Sequence, residues 1–428
     1  MIQTIRKAWG VPELRKKIVF TLLILLIFRI GNAIPVPYIN TTLLGNYLDS
    51  MSGTVLGLYN VMSGGAFAEA TVFALGVQPY INSSIIIQLL TIAIPALERL
   101  ARDGGEAGKK KIASITRYAT VAIALLQGFG YYMICKNYNI LEQQGIWPAL
   151  VIIVSFVAGS SFVMWLGEQV NEFGVGNGIS IILFAGILSR VPNMVTMGAS
   201  YIRTKGSIGC LWIALLIVGM LAMVVLIVHV NEAERRIPVQ YAKRQVGRKM
   251  YGGQASTLPM KVNMSGVLPI IFAQSIAMIP STIAAFCKQP AEGTVMYHFL
   301  NAIDTKSVLY MVCYLAMIIG FSYFYATIQF NPIEISNNLK KNGGFIPGFR
   351  PGKPTADFIK KVLNKVTLFG AIYLGVVAIL PLLIGKIVNQ SSLSIGGTSV
   401  IIVVGVALET VQALESQMLM RQYKGFLE

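Results

Sequence analysis

Ten runs of mostly apolar residues recur along this chain, near 18–36, 70–97, 112–135, 147–167, 175–190, 209–230, 265–286, 308–330, 366–386 and 397–418. A helix that crosses a bilayer needs about 20 such residues. In lipid, every backbone polar group has to be satisfied within the protein, so runs of this length read as an all-α integral membrane protein with ten spans. Composition agrees, because 55% of the 428 residues are hydrophobic and only 12% are charged, against about 25% charged in soluble proteins. The first run, IVFTLLILLIF after Arg15-Lys16-Lys17, has no small-residue cleavage site and is followed by further spans. It reads as a retained first span rather than a signal peptide.

The formal net charge of +17 would suggest nucleic acid in a soluble protein. Here its distribution matters more. With the N-terminus in the cytosol, 27 Lys and Arg residues fall in segments 1–17, 98–117, 231–263, 331–365 and 419–428. Seven fall on the other side: Lys136, Arg190, Arg203, Lys205, Lys288, Lys306 and Lys386. That bias follows the positive-inside rule and places both termini in the cytosol, as an even number of spans requires. Segments 231–263 and 331–365 are longer than the usual connection of about 2–8 residues between packed helices. Two readings fit them: solvated loops that obey the charge rule, or docking surfaces for a large acidic or RNA-containing partner.

Two short strings repeat. Gly76-Val77-Gln78-Pro79-Tyr80-Ile81 in the second span matches Gly266-Val267-Leu268-Pro269-Ile270-Ile271 in the seventh, and Gly178-Ile179-Ser180-Ile181-Ile182 in the fifth resembles Gly397-Thr398-Ser399-Val400-Ile401 in the tenth. Both pairings have an offset of five spans, and an odd offset reverses direction across the bilayer. The chain therefore reads as two five-span halves of inverted topology, an arrangement that puts the functional path between the halves.

The second span is unusual in holding Gln78, Pro79, Asn82, Ser83, Ser84 and Gln88. At 100° per residue, Val77, Ile81 and Ile85 share one stripe, edged by Ser84 and Gln88. That pattern suits an apolar constriction in a wet pore, and equally a packed helix whose polar groups bond to its neighbours. Between the first two spans, Val55–Met62 is apolar but too short to cross. It reads either as a re-entrant piece hinged at Ser63-Gly64-Gly65 or as an external loop.

Signals for chemistry are sparse. The four cysteines are scattered, and His229 and His298 lie far apart, which is not the spacing of a zinc site or a disulfide framework. GVGNG at 174–178 lacks the strand-then-helix context of a dinucleotide site and reads as a helix boundary. No Ser–Lys or Ser–His pair stands where an intramembrane protease would need one. Ionisable residues within the spans are few, which disfavours an ion-coupled transporter.

Longer strings are more specific: FRIGNAIPVP (28–37), SGG (63–65), FALGVQPYINSSIIIQLL (73–90), MWLGEQVNEFGVGNGISI (164–181), RRIPVQYAKRQVGR (235–248), LPMKVNMSGVLPIIFAQS (258–275), FIPGFRPGKPT (345–355) and GGTSVIIVVGVALE (396–409). In this order, and over essentially the whole chain, they resemble the SecY family, the central subunits of the bacterial protein-conducting channel. The resemblance implies an hourglass of two five-helix halves, about 1–205 and 206–428. Its neck would be a ring of Val77, Ile81, Ile179, Leu183, Ile271 and Ile402, with Val77 and Leu183 standing where isoleucine is common in the family. It implies a short re-entrant plug at about 55–65, including Leu58, Tyr59, Asn60, Val61, Met62, Ser63, Gly64 and Gly65. A lateral gate between spans two/three and seven/eight would use Gln88, Gln127 and Gln274, and docking would use Arg235, Arg236, Lys243, Arg244, Arg248 and Arg350. The implied partners are SecE- and SecG-like small membrane subunits, the SecA motor ATPase, the ribosome, signal peptides and nascent chains, and membrane lipid. The implied location is the bacterial cytoplasmic membrane. No cofactor, metal or catalytic residue is implied.

Overall fold

Ten helices occupy the places of the ten apolar runs in the computed structural model, which describes residues 2–50, 59–60, 63–102, 104–241, 244–246, 249–251, 255–264, 266–286, 307–388 and 396–424. In span order they are Pro12–Gly31, Gln78–Ala93, Gly105–Asn137, Ile146–Phe173, Gly178–Leu188, Val191–Glu232, Leu268–Phe286, Val308–Gln329, Lys353–Val388 and Gly396–Lys424. The fifth span runs further than its apolar run. One apolar length extends from Gly178 to Thr204, and the sixth span proper is Gly209–Glu232. The break between them is Gly206, whose φ of 60° and ψ of −135° interrupt the helix. Only glycine takes such a conformation without steric cost.

Among the described residues, seven helices are long and apolar enough to cross a membrane by themselves. An eighth span is the pair Gln78–Ala93 and Pro95–Ala101, bent by 105°. The bend has a local cause: Ile94 precedes a proline and is extended, with φ −107° and ψ 111°, because the proline ring disfavours the helical region for the residue before it. The chain is a multi-pass membrane protein.

Spans two, three and four pack in sequence, as do seven, eight, nine and ten. The two groups meet where span two touches span seven and span five touches span ten. These are the pairs that the internal repeat matches. Close approach depends on missing side chains. A Cβ on Gly159 of span four would strike the Val72 carbonyl, and one on Gly405 of span ten would strike the Val267 side chain of the segment opening span seven.

The two long basic segments share one sheet. Strand β1 (Glu234–Tyr241) pairs antiparallel with β4 (Ala255–Lys261), from Glu234↔Lys261 to Gln240↔Ala255. Its far end pairs with β5 (Gly344–Phe345) from the second segment. Between β1 and β4, β2 (Arg244–Val246) and β3 (Lys249–Tyr251) form a two-stranded ribbon. Alternation along β1 turns Ile237 and Val239 inward, as a half-buried strand requires. They pack with Met260, Ile346, Ile359 and Leu363 into a small core. At the chain's start, helix Ile2–Trp9 lies against the tenth span. Thr4 Oγ1 donates to Glu415 Oε1 at 2.9 Å, and Ala8 and Leu14 are buried with Val175 and Leu414.

Candidate functional site: an apolar neck between the two halves

Residues 63–77, which lead into span two, are irregular and largely buried. Irregular backbone at membrane depth persists only where protein or water satisfies it, and here protein side chains and strand-like bridges do so. Tyr131 Oη donates to Phe67 O at 2.7 Å. Ser63 Oγ accepts from Phe67 N at 3.1 Å, and Asn60 Oδ1 accepts from Ala68 N at 3.1 Å. Val36 N and Val72 N donate to Ala70 O and Ile34 O. Gly76, with φ 53°, then turns the chain into the helix, and Pro79 sits in its first turn, where a missing N–H costs nothing.

From there Val77, Ile81 and Ile85 form a buried stripe. The polar residues of this span have separate employment. Ser83 Oγ donates to Thr116 O of span three at 2.8 Å, and Gln78 is buried at the helix start. The Ser83 bond is the kind a packed helix makes to its neighbour, and the buried stripe lies on the same helix.

The second half repeats the local geometry. Gly266 has φ 62°, the helix starts at Leu268, and Val267 and Ile271 are buried. The fifth span starts where GVGNG marks a boundary. Asn177 caps it, its Oδ1 accepting from Ile179 N at 3.1 Å and Ser180 N at 3.3 Å. Tight crossing of spans four and five follows from two glycines, since a Cβ on Gly178 would strike the Gly167 carbonyl.

Val77, Ile81, Ile179, Leu183, Ile271 and Ile402 are each at most 8% exposed. All six belong to one central apolar cluster, to which spans two, five, seven and ten contribute. Leu183 and Ile402 are repeat counterparts, as are Ile81 and Ile271. The Ile179 side chain lies in the notch left by Gly167.

Of the predicted plug, Tyr59, Asn60 and Ser63 are buried, and Gly64 and Gly65 are left-handed, with φ 72° and 96°. Leu58, Val61 and Met62 lie outside the described residues. Ser189, at the end of helix Gly178–Leu188, donates from Oγ to Gly64 O at 3.3 Å. The Tyr59 ring is 5.6 Å from that of Phe67, which is 4.8 Å from that of Tyr131. Gln127, expected at the lateral gate, lies on span three. Gln274 is buried on span seven and Gln88 partly buried on span two.

Arg235 and Arg236 are exposed on β1, with Arg236 Nε 3.8 Å from Glu234 Oε2. Arg350 is exposed in a turn between Gly348 (φ 87°) and Gly352 (φ 104°), and its carbonyl accepts from Thr355 Oγ1 at 2.8 Å. Pairing of β1 with β5 ties these two segments together. Arg244 lies in β2, while Lys243 and Arg248 lie outside the described residues. Ser189, Ser160 and Asn263 were not legible as site residues. Each acts on a carbonyl distant in sequence or in a turn, and single serines and asparagines carry no periodic signal.

The membrane helices form a bundle with a shared apolar core, and a basic sheet stands outside it. Residues 71–411 match the SecY family model. The protein translocase subunit SecY of Streptomyces coelicolor is 43% identical over 100% of both chains, and that of Aquifex aeolicus is 41% identical over 100% of both. A solved protein-conducting channel matches with a TM-score of 0.63 at 16% identity, over 97% of each chain. The chain belongs to the SecY family.

Proposed function

We propose that this protein is the channel-forming subunit of a bacterial protein translocase. Unfolded secretory polypeptides cross the membrane through its neck, and apolar segments leave sideways into lipid between spans two/three and seven/eight. The observation that carries this reading is the shared burial of six apolar side chains where the repeat-related spans meet. Branched aliphatic groups dewet a narrow neck and so oppose ion and water leakage. They offer no fixed hydrogen bonds, so passing chains of any sequence meet a similar surface. The channel performs no bond chemistry, and a bound motor or ribosome supplies the energy.

In this reading 55–65 is the plug and moves aside on opening, and Gln88, Gln127 and Gln274 belong to the lateral gate. The halves divide near residue 205, both termini are cytosolic, and SecE- and SecG-like subunits complete the channel in the bacterial cytoplasmic membrane. The basic sheet and the Arg350 turn form the docking face for SecA or the ribosome.

Site-specific crosslinking tests the path. A photoreactive residue is placed at Ile81, Ile179, Ile271 or Ile402, one at a time, and a secretory chain is stalled in transit. All four positions are expected to crosslink to the stalled chain, while lipid-facing controls such as Leu221, which is exposed on the sixth span, do not. Silence from all four, with export verified, overturns the assignment.

The docking face has its own test. Arg350→Glu is expected to abolish most motor-driven export while leaving the amount of inserted channel unchanged, since the residue is exposed. Binding of ribosomes to the purified channel should weaken steeply as salt rises, because ribosomal RNA is a polyanion. Normal export by the variant refutes the motor contact, and a salt-insensitive ribosome interaction refutes the electrostatic one.

A further inference from the structure

The carbonyl groups of Gly76 and Gly266 are held alike in the two halves. Each glycine is left-handed, precedes a buried valine, and stands two residues before a helix that carries a neck residue in its first turns. The first bonds of those helices run from Ile81 N to Val77 O at 3.0 Å and from Ile271 N to Val267 O at 3.3 Å. The glycine carbonyl, one residue earlier, therefore lies outside the helical ladder. Gly76 is buried and Gly266 partly buried, and a carbonyl withdrawn from water needs a donor from the protein.

In the first half the donor is Ser160 Oγ of span four, 3.3 Å from Gly76 O. In the second it is Asn263 Nδ2, 3.2 Å from Gly266 O. The same nitrogen reaches Asn231 Oδ1, at the end of the sixth span, at 2.8 Å. Both donors are buried. They are not counterparts in the repeat, because Ser160 sits within a span and Asn263 sits between β4 and span seven. The acceptors are counterparts. Different side chains reaching the same bonded carbonyl point to a requirement at that carbonyl, not to a shared ancestral side chain.

We propose that Ser160 and Asn263 are positioning residues of the neck. Each pins the pivot from which a short helix starts, and so sets the rotation at which Val77 and Ile81, or Ile271, enter the seal. Glycine is free to change φ and ψ, and each residue added or lost at a helix start turns the side chains by 100°. A pivot left unpinned therefore swings apolar groups out of the ring. The proposal rests on the neck being the seal, as proposed above.

Single-channel recording in planar bilayers tests it with the complete channel and its companion subunits. Conductance is then read per channel, whatever fraction of protein folds. Ser160→Ala and Asn263→Ala are each expected to raise resting leak roughly fivefold, the factor that loss of one hydrogen bond of ordinary strength gives. Ser160→Thr keeps the hydroxyl and is expected to restore the wild-type leak. Export of substrates with defective signal sequences should rise in the same order. Ile81→Asn is the control for the seal. If it leaks while both alanine variants stay sealed, the positioning role is wrong and the neck reading stands. If alanine lowers the number of channels but each remains sealed, the two residues are structural only and the proposal falls. If Ile81→Asn is itself sealed, the neck reading fails and takes the proposal with it.

Discussion

Channels carrying Ile81→Asn and Ile271→Asn together are expected to conduct ions at rest and to export substrates whose signal sequences are too weak for the wild type. Both side chains are buried in the central cluster, and both stand on helices that begin at a left-handed glycine. An amide placed among aliphatic groups has no donor or acceptor to meet, and burying it costs about 1–3 kcal/mol. Wetting the neck removes that cost, so the balance between sealed and leaky states shifts by roughly 5- to 150-fold. Each single variant should show a part of the effect. Ion flux from channel-containing vesicles and export of a signal-defective substrate measure the two consequences separately. Tight vesicles together with unchanged signal stringency refute the neck.

A second large effect is expected where span four crosses the segment before span two. Gly159→Ala places a methyl where the Val72 carbonyl lies, with the Val72 carbonyl carbon 2.8 Å away. The obstacle is backbone, so no side-chain rotation relieves it. Overpacking of this kind costs about 1–3 kcal/mol, occasionally more. Moving Val72 also pulls on the bridge between Val72 N and Ile34 O. Span four would have to tilt away from residues 63–77, the segment that leads through Gly76 into span two. The variant should accumulate poorly, melt at lower temperature in detergent, and be cut by protease between spans one and two. Gly219→Ala is the control: it lies on the sixth span with nothing within 4 Å of the added methyl, and should behave as wild type. Equal thermal stability of the two variants would show that the close crossing at Gly159 is dispensable.

Much of this architecture is written locally. Lipid is the solvent for each span, so length and apolarity reveal a membrane helix without knowledge of its neighbours. The same local logic explains why Pro95 bends span two and why Asn177 caps span five. The GVQP and GVLP strings marked equivalent points of two halves, and the left-handed φ angles at Gly76 and Gly266 agree with that equivalence. The stripe Val77–Ile81–Ile85 was legible from the helical period alone, and its burial follows.

What was not legible rests on long-range contacts. That segments 231–263 and 331–365 share a sheet has no local signal, because β1 and β5 are about a hundred residues apart and β5 is two residues long. Break points such as Gly206 shift span boundaries without a change in hydropathy.

The sequence by itself determined that the chain spans a membrane many times, that its basic residues gather in a few segments between the apolar runs, that it repeats internally, and to which family it is similar. The tertiary structure alone decided which side chains hold the irregular backbone at membrane depth: Ser160 on Gly76, Asn263 on Gly266, Tyr131 on Phe67 and Ser189 on Gly64. The physical reason is that apolarity is a property of each residue in its solvent and can be read one residue at a time. A hydrogen bond to a buried carbonyl depends on where two distant pieces of chain come to rest, and only their packing sets that.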